Sequence, residues 1–256
     1  MNMLKIEGLE KRFGGLNAVS SLDISINQGD IMGLIGPNGA GKTTVFNLIT
    51  GYLKPTMGNV FLGGHDITGR SPHYIASKGI ARTFQATNIF SEFTVLQNIV
   101  LASHLKSKTG FLRKVLHTPA SRYSEKEILG KSRAILELVG LDEFENVPAQ
   151  NLAHGYKRIL GIAIALASEP KLLLLDEPLG GMNGEEVSET VKLIHKLWQE
   201  KITILLIEHN MRAAMSLCKR IVVLNFGRKI VEGSPEEIKE DDRVIQAYLG
   251  SGGHVN

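Results

Sequence analysis

The sequence is poor in cysteine and tryptophan, with one residue of each, Cys218 and Trp198, in 256 residues. A single cysteine cannot form a disulfide within the chain, which fits a protein that works in a reducing cytosol. The chain also lacks a long apolar run, because the longest, residues 159–167, is far short of the roughly 20 residues that a membrane-spanning helix needs. We therefore expect a chain that does not cross a bilayer by itself.

An excess of one charge is also missing. Lys and Arg (29) outnumber Asp and Glu (26) by three, and the basic residues are scattered rather than gathered in a stripe, which argues against a nucleic-acid partner. Residues 1–7 contain no basic segment followed by an apolar one, so we expect no secretory signal. With 43% hydrophobic and 21% charged residues, the composition is that of an ordinary folded domain.

The first part of the chain is predicted to be rich in β-strands. Residues 22–26 alternate between apolar and polar, and residues 31–35 form an apolar run that ends in a glycine-rich turn. A helix is expected directly afterwards, at residues 44–50. From about residue 86 to about residue 155, charged segments with helical periodicity replace the strands, which predicts an inserted α-helical subdomain.

The β/α alternation then resumes. Apolar runs at 172–175, 202–207 and 221–224 predict buried strands, and residues 185–199 predict a helix. Continuous apolar strands separated by helices indicate a mostly parallel sheet covered on both faces. The sequence thus predicts an α/β fold with an N-terminal antiparallel β part, in a single domain, 1–256. Its core is expected to comprise residues 1–85 and 156–256.

A glycine-rich loop between the first buried strand and its helix fits the phosphate-binding pattern G-x-x-x-x-G-K-[ST]. Its glycines let successive backbone N–H groups approach phosphates, and the helix N-terminus adds positive potential. Lys42 is expected to reach the β- and γ-phosphates, and the Thr43 hydroxyl to ligate Mg²⁺. The candidate nucleotide-binding residues here are Gly36, Pro37, Asn38, Gly39, Ala40, Gly41, Lys42, Thr43 and Thr44.

Two acidic residues end the predicted strand at 172–175. Ligands bind at the carboxyl edge of open α/β sheets, so Asp176 is placed to hold Mg²⁺, through water. Glu177 is then a candidate general base that polarises a water for attack on the γ-phosphate. Acidic residues after a strand are by themselves weak evidence, so the functional interpretation of Asp176 and Glu177 depends on the presence of the phosphate loop.

Three further features say little about function when each is considered alone. Gln85 follows a strand-like run, residues 152–158 open a helix about twenty residues before Asp176, and His209 ends the strand that follows Glu177. Each also has a plain structural interpretation: a solvated loop glutamine, a glycine at a helix start, and a capping or core histidine. Their order and spacing, however, resemble the nucleotide-binding domain of ABC transporters, and the resemblance covers essentially the whole chain.

The resemblance implies specific roles. Phe13 matches the aromatic residue that stacks on adenine, Gln85 the glutamine that meets Mg²⁺ and couples to the membrane subunit, Glu177 the catalytic carboxylate, and His209 the histidine that contacts the γ-phosphate. Residues 178–183 occupy the place of a dimer-contact loop. The signature motif, which closes over the γ-phosphate of a partner's ATP, corresponds to Leu152, Ala153, His154, Gly155 and Tyr156.

The signature departs from the usual Leu-Ser-Gly-Gly-Gln, because it keeps Leu152 and Gly155 but lacks the serine hydroxyl. Asn183 also stands where aspartate is commoner. Together with residues 13–19, 81–85, 111–120, 207–210 and 247–250, these features resemble the subgroup that serves branched-chain amino acid importers. In that subgroup two different ATP-binding subunits commonly pair, so the partner is either an identical or a different chain.

The resemblance implies an ATPase at the cytoplasmic face of the inner membrane, peripheral to it. Its expected partners are integral membrane permease subunits, a second ATP-binding subunit and a substrate-binding protein. Three alternatives stay open: an exporter ATPase of the lipopolysaccharide type, a soluble ABC-type ATPase acting on DNA or ribosomes, and a small-molecule kinase. The second usually has two nucleotide domains or a long coiled-coil insertion, and the third needs an acceptor-site motif; none of these features is found in the sequence.

Overall fold

The computed structural model describes residues 2–83, 89–106 and 119–249. In these residues the chain forms two β-sheets, one of four and one of six strands, with helices packed against them. The predicted α/β fold with an N-terminal antiparallel part is confirmed.

The smaller sheet is antiparallel and has the strand order β2-β1-β4-β5. Its inward side chains alternate with outward ones, and Leu22, Ile24 and Ile26 of β2 are buried as the sequence pattern predicts. The strands are β1 (Asn2–Phe13), β2 (Leu16–Asn27), β4 (Met57–Leu62) and β5 (His65–Asp66).

The larger sheet has the order β10-β9-β3-β8-β7-β6, and only its β9–β10 pair is antiparallel. Every residue of β3, β7 and β8 is buried, because layers cover both faces of the sheet. The strands are β3 (Ile31–Ile35), β6 (Ile80–Arg82), β7 (Leu172–Asp176), β8 (Thr203–Ile207), β9 (Arg220–Asn225) and β10 (Arg228–Gly233).

Successive leucines of β7 belong to different hydrophobic clusters. Leu172 and Leu174 pack with the antiparallel sheet and α1, whereas Leu173 and Leu175 pack with the helices on the other face. This division follows from the two-residue period of a strand. The parallel sheet is therefore the central layer, and its edges are where loops reach the surface.

The helices agree with the sequence pattern at residues 42–49, 119–139 and 184–199. In the described part of the chain no helix is both long and apolar enough to cross a membrane. The helices are α1 (Lys42–Ile49), α2 (Pro72–Ser77), α3 (Val95–Lys106), α4 (Pro119–Val139), α5 (His154–Leu166), α6 (Gly184–Gln199), α7 (Met211–Leu217), α8 (Pro235–Glu240) and α9 (Asp242–Leu249).

The described residues between β6 and β7 are mainly helical, as predicted. Val95 and Ile99 of α3, Leu136 of α4 and Leu160 of α5 are buried in one cluster. Two short 3-10 turns, Asp142–Phe144 and Ala149–Asn151, connect α4 to α5. Since α5 packs against α3 and α4 and also against β6 and β7, it joins this helical group to the central sheet. The assignment of residues 86–155 to a separate subdomain stays a prediction.

Candidate functional site

The candidate site residues gather at one edge of the parallel sheet. Strand β8 lies between β3 and β7, and all three run in the same direction. The residues that follow these strands therefore meet at their carboxyl ends, where open α/β sheets bind ligands. Gly36 follows β3, Asp176 ends β7, and His209 comes two residues after β8.

The phosphate loop adopts a backbone that requires glycine at two positions. Gly36 has a φ of 150°, and a Cβ there would lie 2.1 Å from the Leu224 carbonyl oxygen. Gly41 has a φ of 103°, and a Cβ there would lie 2.5 Å from the Ala18 carbonyl oxygen. The loop is also held by the Gly227 N–H, which donates to the Ala40 carbonyl at 3.0 Å. Neighbouring strands thus fix its shape before any ligand arrives.

Lys42 is folded back onto this loop. Its Nζ donates to the carbonyl oxygens of Gly36 at 2.7 Å and Pro37 at 2.9 Å. The residue is only 7% exposed, and burial lowers the pKa of Lys42 from its ordinary value, although Glu177 and Asp176 oppose this by their negative charge. A buried ammonium at a helix start is a strong attraction for a phosphate anion.

The rest of the loop divides into a buried side and an exposed side. Pro37 and Ala40 are buried, whereas Asn38, Gly39 and Thr43 are exposed, and Thr44 is half-buried. The exposed residues surround the free N-terminal end of α1, which lacks a side-chain cap. Its unpaired N–H groups suit an anionic ligand.

Asp176 is held by contacts on both its backbone and its side chain. Its side chain is 3% exposed, and Oδ2 accepts a hydrogen bond from Nη2 of Arg82 at 2.7 Å. Its backbone N–H donates to Oγ1 of Thr83 at 3.2 Å. The second oxygen, Oδ1, is buried without a hydrogen-bond partner among the described residues. One oxygen of this carboxylate is therefore available to a ligand.

The residues present fit a magnesium ion that arrives with a nucleotide. The described part of the chain has no group of three or more His, Cys, Asp or Glu side chains that could hold a metal. Mg²⁺, however, is commonly bound through one or two carboxylates together with substrate phosphates. The free Oδ1 of Asp176 and the exposed Thr43 hydroxyl provide hard oxygen donors of this kind.

Glu177 and His209 lie next to each other above this edge. The Nδ1 of His209 is 3.9 Å from Oε2 of Glu177, and both side chains are accessible to solvent. Glu177 has a φ of 49°, which is unusual for a residue with a side chain. Its N–H nevertheless donates to the Ile207 carbonyl at 3.0 Å, so the conformation is stabilised by β8. Such local strain is typical of functional sites.

Phe13 lies at the end of β1, in the hairpin that also contains Ala18. Its ring is 47% exposed, and the Nζ of Lys11 lies 5.0 Å from the ring centroid. The hairpin contacts the phosphate loop where Ala18 meets Gly41. An exposed aromatic ring on a hairpin that contacts the phosphate loop is suited to stacking on a base.

The candidate signature residues form the start of α5. Ala153 is the N-cap and makes no side-chain capping bond, His154 is exposed, and Leu152 is buried. Tyr156 packs against Phe144 with ring centroids 4.8 Å apart. In the described part of the chain no hydrogen bond or ion pair links these residues to the phosphate loop.

Gly155 lies against the first turn of α6. Its N–H donates to Oε1 of Glu186 at 3.3 Å, and a Cβ on Gly155 would lie 2.5 Å from that oxygen. The other carboxylate oxygen of Glu186 accepts from the Asn183 N–H at 2.9 Å. Asn183, which replaces the commoner aspartate, in turn accepts from the N–H groups of Glu185 and Glu186 as the N-cap of α6. Residues 178–183 and the start of α5 are therefore linked through Glu186.

The sequence did not predict some of the residues that lie at the site, and one predicted residue is not described by the structure. Gln85 lies outside the described residues. Arg82 and Asn47 were not predicted, although an arginine in an otherwise apolar strand is a recognisable signal of a buried partner. Tyr248 of α9 lies beside Gly36, and burial raises the pKa of Tyr248 to about 12.

The chain is similar to known proteins over most of its length. The chain matches the ABC transporter family over residues 19–180 and the family described as branched-chain amino acid ATP-binding cassette transporter over residues 228–254. It is 44% identical to the high-affinity branched-chain amino acid transport ATP-binding protein BraF of Pseudomonas aeruginosa, covering 97% of this chain and 98% of BraF. It is 33% identical to the lipopolysaccharide export system ATP-binding protein LptB of Haemophilus influenzae, covering 98% of both chains.

A solved structure is also similar. The ADP conformation of an ATP-binding cassette of an ABC transporter superimposes with a TM-score of 0.86 at 31% identity, covering 98% of this chain and 99% of the solved one. These matches extend over nearly the whole chain and include the phosphate loop and the acidic pair. The chain belongs to the ABC transporter family, as one of its nucleotide-binding ATPase subunits.

Proposed function

We propose that the chain hydrolyses ATP to energise an ABC importer of branched-chain amino acids. The observation that carries the proposal is the convergence of Lys42, Asp176 and Glu177 at one sheet edge, in a chain 44% identical to BraF. The acidic pair and the phosphate loop come from distant parts of the sequence, and their meeting is what ATP hydrolysis requires.

In the proposed reaction the residues mainly position and stabilise charge. Lys42 exchanges its two carbonyl partners for phosphate oxygens, and the N–H groups of residues 38–43 surround the phosphates. Mg²⁺, held by Thr43 and Asp176, and by Gln85 as the family resemblance suggests, would neutralise phosphate charge. Glu177 acts as general base towards water, and His209, 3.9 Å away, contacts the γ-phosphate.

The start of α5 is proposed to act on a second subunit. Ala153 and His154 are exposed there, and in the family resemblance residues 152–156 close over the γ-phosphate of a partner's ATP. Closure of two ATP-binding subunits, identical or different, would move integral permease subunits, and hydrolysis would let the pair reopen. The subunit then sits peripherally at the cytoplasmic face of the membrane, and a substrate-binding protein delivers the amino acid.

The choice of substrate rests on two kinds of similarity. The match at residues 228–254 is to a family named for branched-chain amino acids, and BraF is nearer in sequence, at 44%, than LptB, at 33%. Both support import over lipopolysaccharide export. The substrate itself is not expected to contact this subunit, so only the assembled transporter can decide the question.

The first experiment measures dimerisation. Glu177→Gln is analysed by size-exclusion chromatography with light scattering, with and without ATP, after ATP binding has been verified. We expect ATP to convert monomer into dimer, and Lys42→Ala in the same background to stay monomeric. A protein that binds ATP yet remains monomeric would contradict self-pairing, and a different ATP-binding subunit would then be added.

The second experiment tests the substrate. The wild type and Glu177→Gln are each assembled with the transporter's permease subunits in vesicles, together with the substrate-binding protein. We expect ATP-dependent uptake of labelled leucine with the wild type and none with the variant. Extraction of lipopolysaccharide without leucine uptake would favour the exporter alternative.

A further inference from the structure

Arg82 is buried at the end of β6, and the proposed reaction does not use its side chain. Its side chain is 6% exposed although guanidinium groups usually remain in water. Nη2 donates to Oδ2 of Asp176 at 2.7 Å, and Nη1 donates to Oδ1 of Asn47 at 2.7 Å. The guanidinium also lies 5.5 Å from the ring centroid of Phe46. One side chain thus joins β6, the end of β7 and helix α1.

These contacts leave Asp176 with a single free oxygen. Oδ2 is occupied by Arg82, the backbone N–H is bonded to Thr83, and only Oδ1 lacks a partner among the described residues. The guanidinium is a planar fork whose other branch is anchored by Asn47 and, at the longer distance of 3.5 Å, by Oγ1 of Thr50, so it restricts rotation of the carboxylate. A fixed carboxylate presents its remaining oxygen without further loss of conformational freedom.

Stability alone does not explain the buried ion pair of Arg82 and Asp176. Burying two charges costs free energy that their attraction often only just offsets, and apolar replacements are frequently as stable. A positive charge also weakens the attraction of its carboxylate for a cation. The contact therefore adds little to stability and opposes metal attraction, which leaves the orientation of Asp176 as what it contributes.

We propose that Arg82 is a positioning residue for magnesium nucleotide, which fixes Asp176 with Oδ1 available to the metal and ties it to helix α1 through Asn47. The inference rests on the proposed function, since it needs Asp176 to act on a metal–nucleotide complex. Helix α1 begins with Lys42 and Thr43, so the tie through Asn47 links the acidic residue to the helix that carries the other phosphate and metal contacts.

The test separates nucleotide affinity from its magnesium dependence. ATP affinity is measured in EDTA and in excess Mg²⁺ for the wild type and for Arg82→Lys, which keeps the charge but cannot span Asp176 and Asn47. We expect the magnesium-dependent gain in affinity to fall about tenfold, as for other residues that orient metal ligands, while affinity in EDTA stays within about twofold. Arg133→Lys, at an exposed bidentate pair with Glu145, is the matched control and should change neither.

Asn47→Leu gives a second, milder variant that leaves the Arg82–Asp176 pair in place. We expect it to lose about threefold of the magnesium-dependent gain, because one anchor of the guanidinium is removed. Unfolding temperatures without nucleotide identify any variant that fails to fold, and the inference is then decided by Asn47→Leu alone.

The outcomes are distinct. If wild-type ATP affinity does not depend on Mg²⁺, the proposed metal role of Asp176 fails, and the positioning role fails with it. If the wild type depends on Mg²⁺ but Arg82→Lys and Asn47→Leu keep the full gain, only the positioning role is overturned. An equal loss in EDTA and in Mg²⁺ also overturns it, because Arg82 would then shape the nucleotide site in general.

Discussion

The phosphate loop and the start of α5 both present a helix N-terminus, but they differ in what one chain provides. At the phosphate loop, Lys42 and Asp176 are 7% and 3% exposed; Lys42 is hydrogen-bonded to the loop backbone and Asp176 to Arg82 of β6. Neither helix has a side-chain cap, but at the start of α5 Ala153 and His154 are exposed. The first end is assembled within the subunit, and the second is open.

The two helix ends differ in whether their charged groups must be compensated within the chain. Buried charges at the phosphate loop must be compensated inside the chain, because an uncompensated one costs several kcal/mol. At the α5 terminus, the Gly155 N–H donates to the Glu186 carboxylate at 3.3 Å. An open terminus can accept an anion from outside. Substitutions at the first end should thus abolish steps within a subunit, and substitutions at the second should change pairing.

The largest effect is expected from Glu177→Gln at the phosphate-loop end. Removing a general base should lower the hydrolysis rate by about 10²- to 10⁴-fold while ATP binding is retained. Single-turnover hydrolysis and equilibrium ATP binding measure the two separately. Equal loss of binding and hydrolysis would show that Glu177 shapes the site rather than activating water.

Lys42→Ala should weaken ATP binding by about 100-fold, because charge-assisted hydrogen bonds to phosphate are lost. Isothermal titration with ATP measures the loss. Lys171→Ala, an exposed lysine before β7, is the control and should bind like the wild type. Unchanged ATP affinity in Lys42→Ala would contradict the assignment of the loop.

Ala153→Ser tests the open end by restoring the missing hydroxyl. In a Glu177→Gln background, one added hydrogen bond should strengthen ATP-dependent pairing about fivefold. As an N-cap of α5, the serine should also raise the free energy of unfolding by about 1 kcal/mol. Ala153→Gly lacks the hydroxyl and controls for backbone effects. Stronger pairing in both variants would exclude a role for the hydroxyl.

The smallest effect, on the pH dependence of stability, is expected at Glu208. Its Oε1 accepts a hydrogen bond from the N–H of Leu179, in the loop after Glu177, at 3.1 Å. Burial raises the pKa of Glu208 above its ordinary 4.5, although bonds from Leu179 and Asn210 oppose this. A raised pKa in the folded state contributes stability below the ordinary value, and that stability is lost as pH rises through the raised one.

Glu208→Gln carries no titrating group at this position. The wild type should therefore lose more stability than the variant as pH rises from 4.5 towards neutral. Urea unfolding of both proteins across this range measures the difference. Parallel pH profiles would show that the carboxyl group does not titrate differently in the folded and unfolded states.

Features governed by local rules were predicted correctly from the sequence. The leucine run before Asp176 forms β7, and the segment at residues 184–199 forms a capped helix, because periodicity and capping act over a few residues. The phosphate loop is also visible in the sequence, since glycine spacing reflects backbone geometry. The roles assigned to the candidate site residues stay predictions, and Gln85 lies outside the described residues.

Contacts between distant residues were decided only by the tertiary structure. Arg82 and Asp176 are 94 residues apart in sequence, and they meet because β6 and β7 are neighbours in the sheet. Glu186 meets Gly155 because α5 and α6 converge. Strand order and helix packing follow from burial of the whole apolar surface, which no local pattern encodes. The sequence by itself determined the position of the phosphate loop and of the acidic pair, because both are local patterns, while tertiary packing decided which residues lie around them.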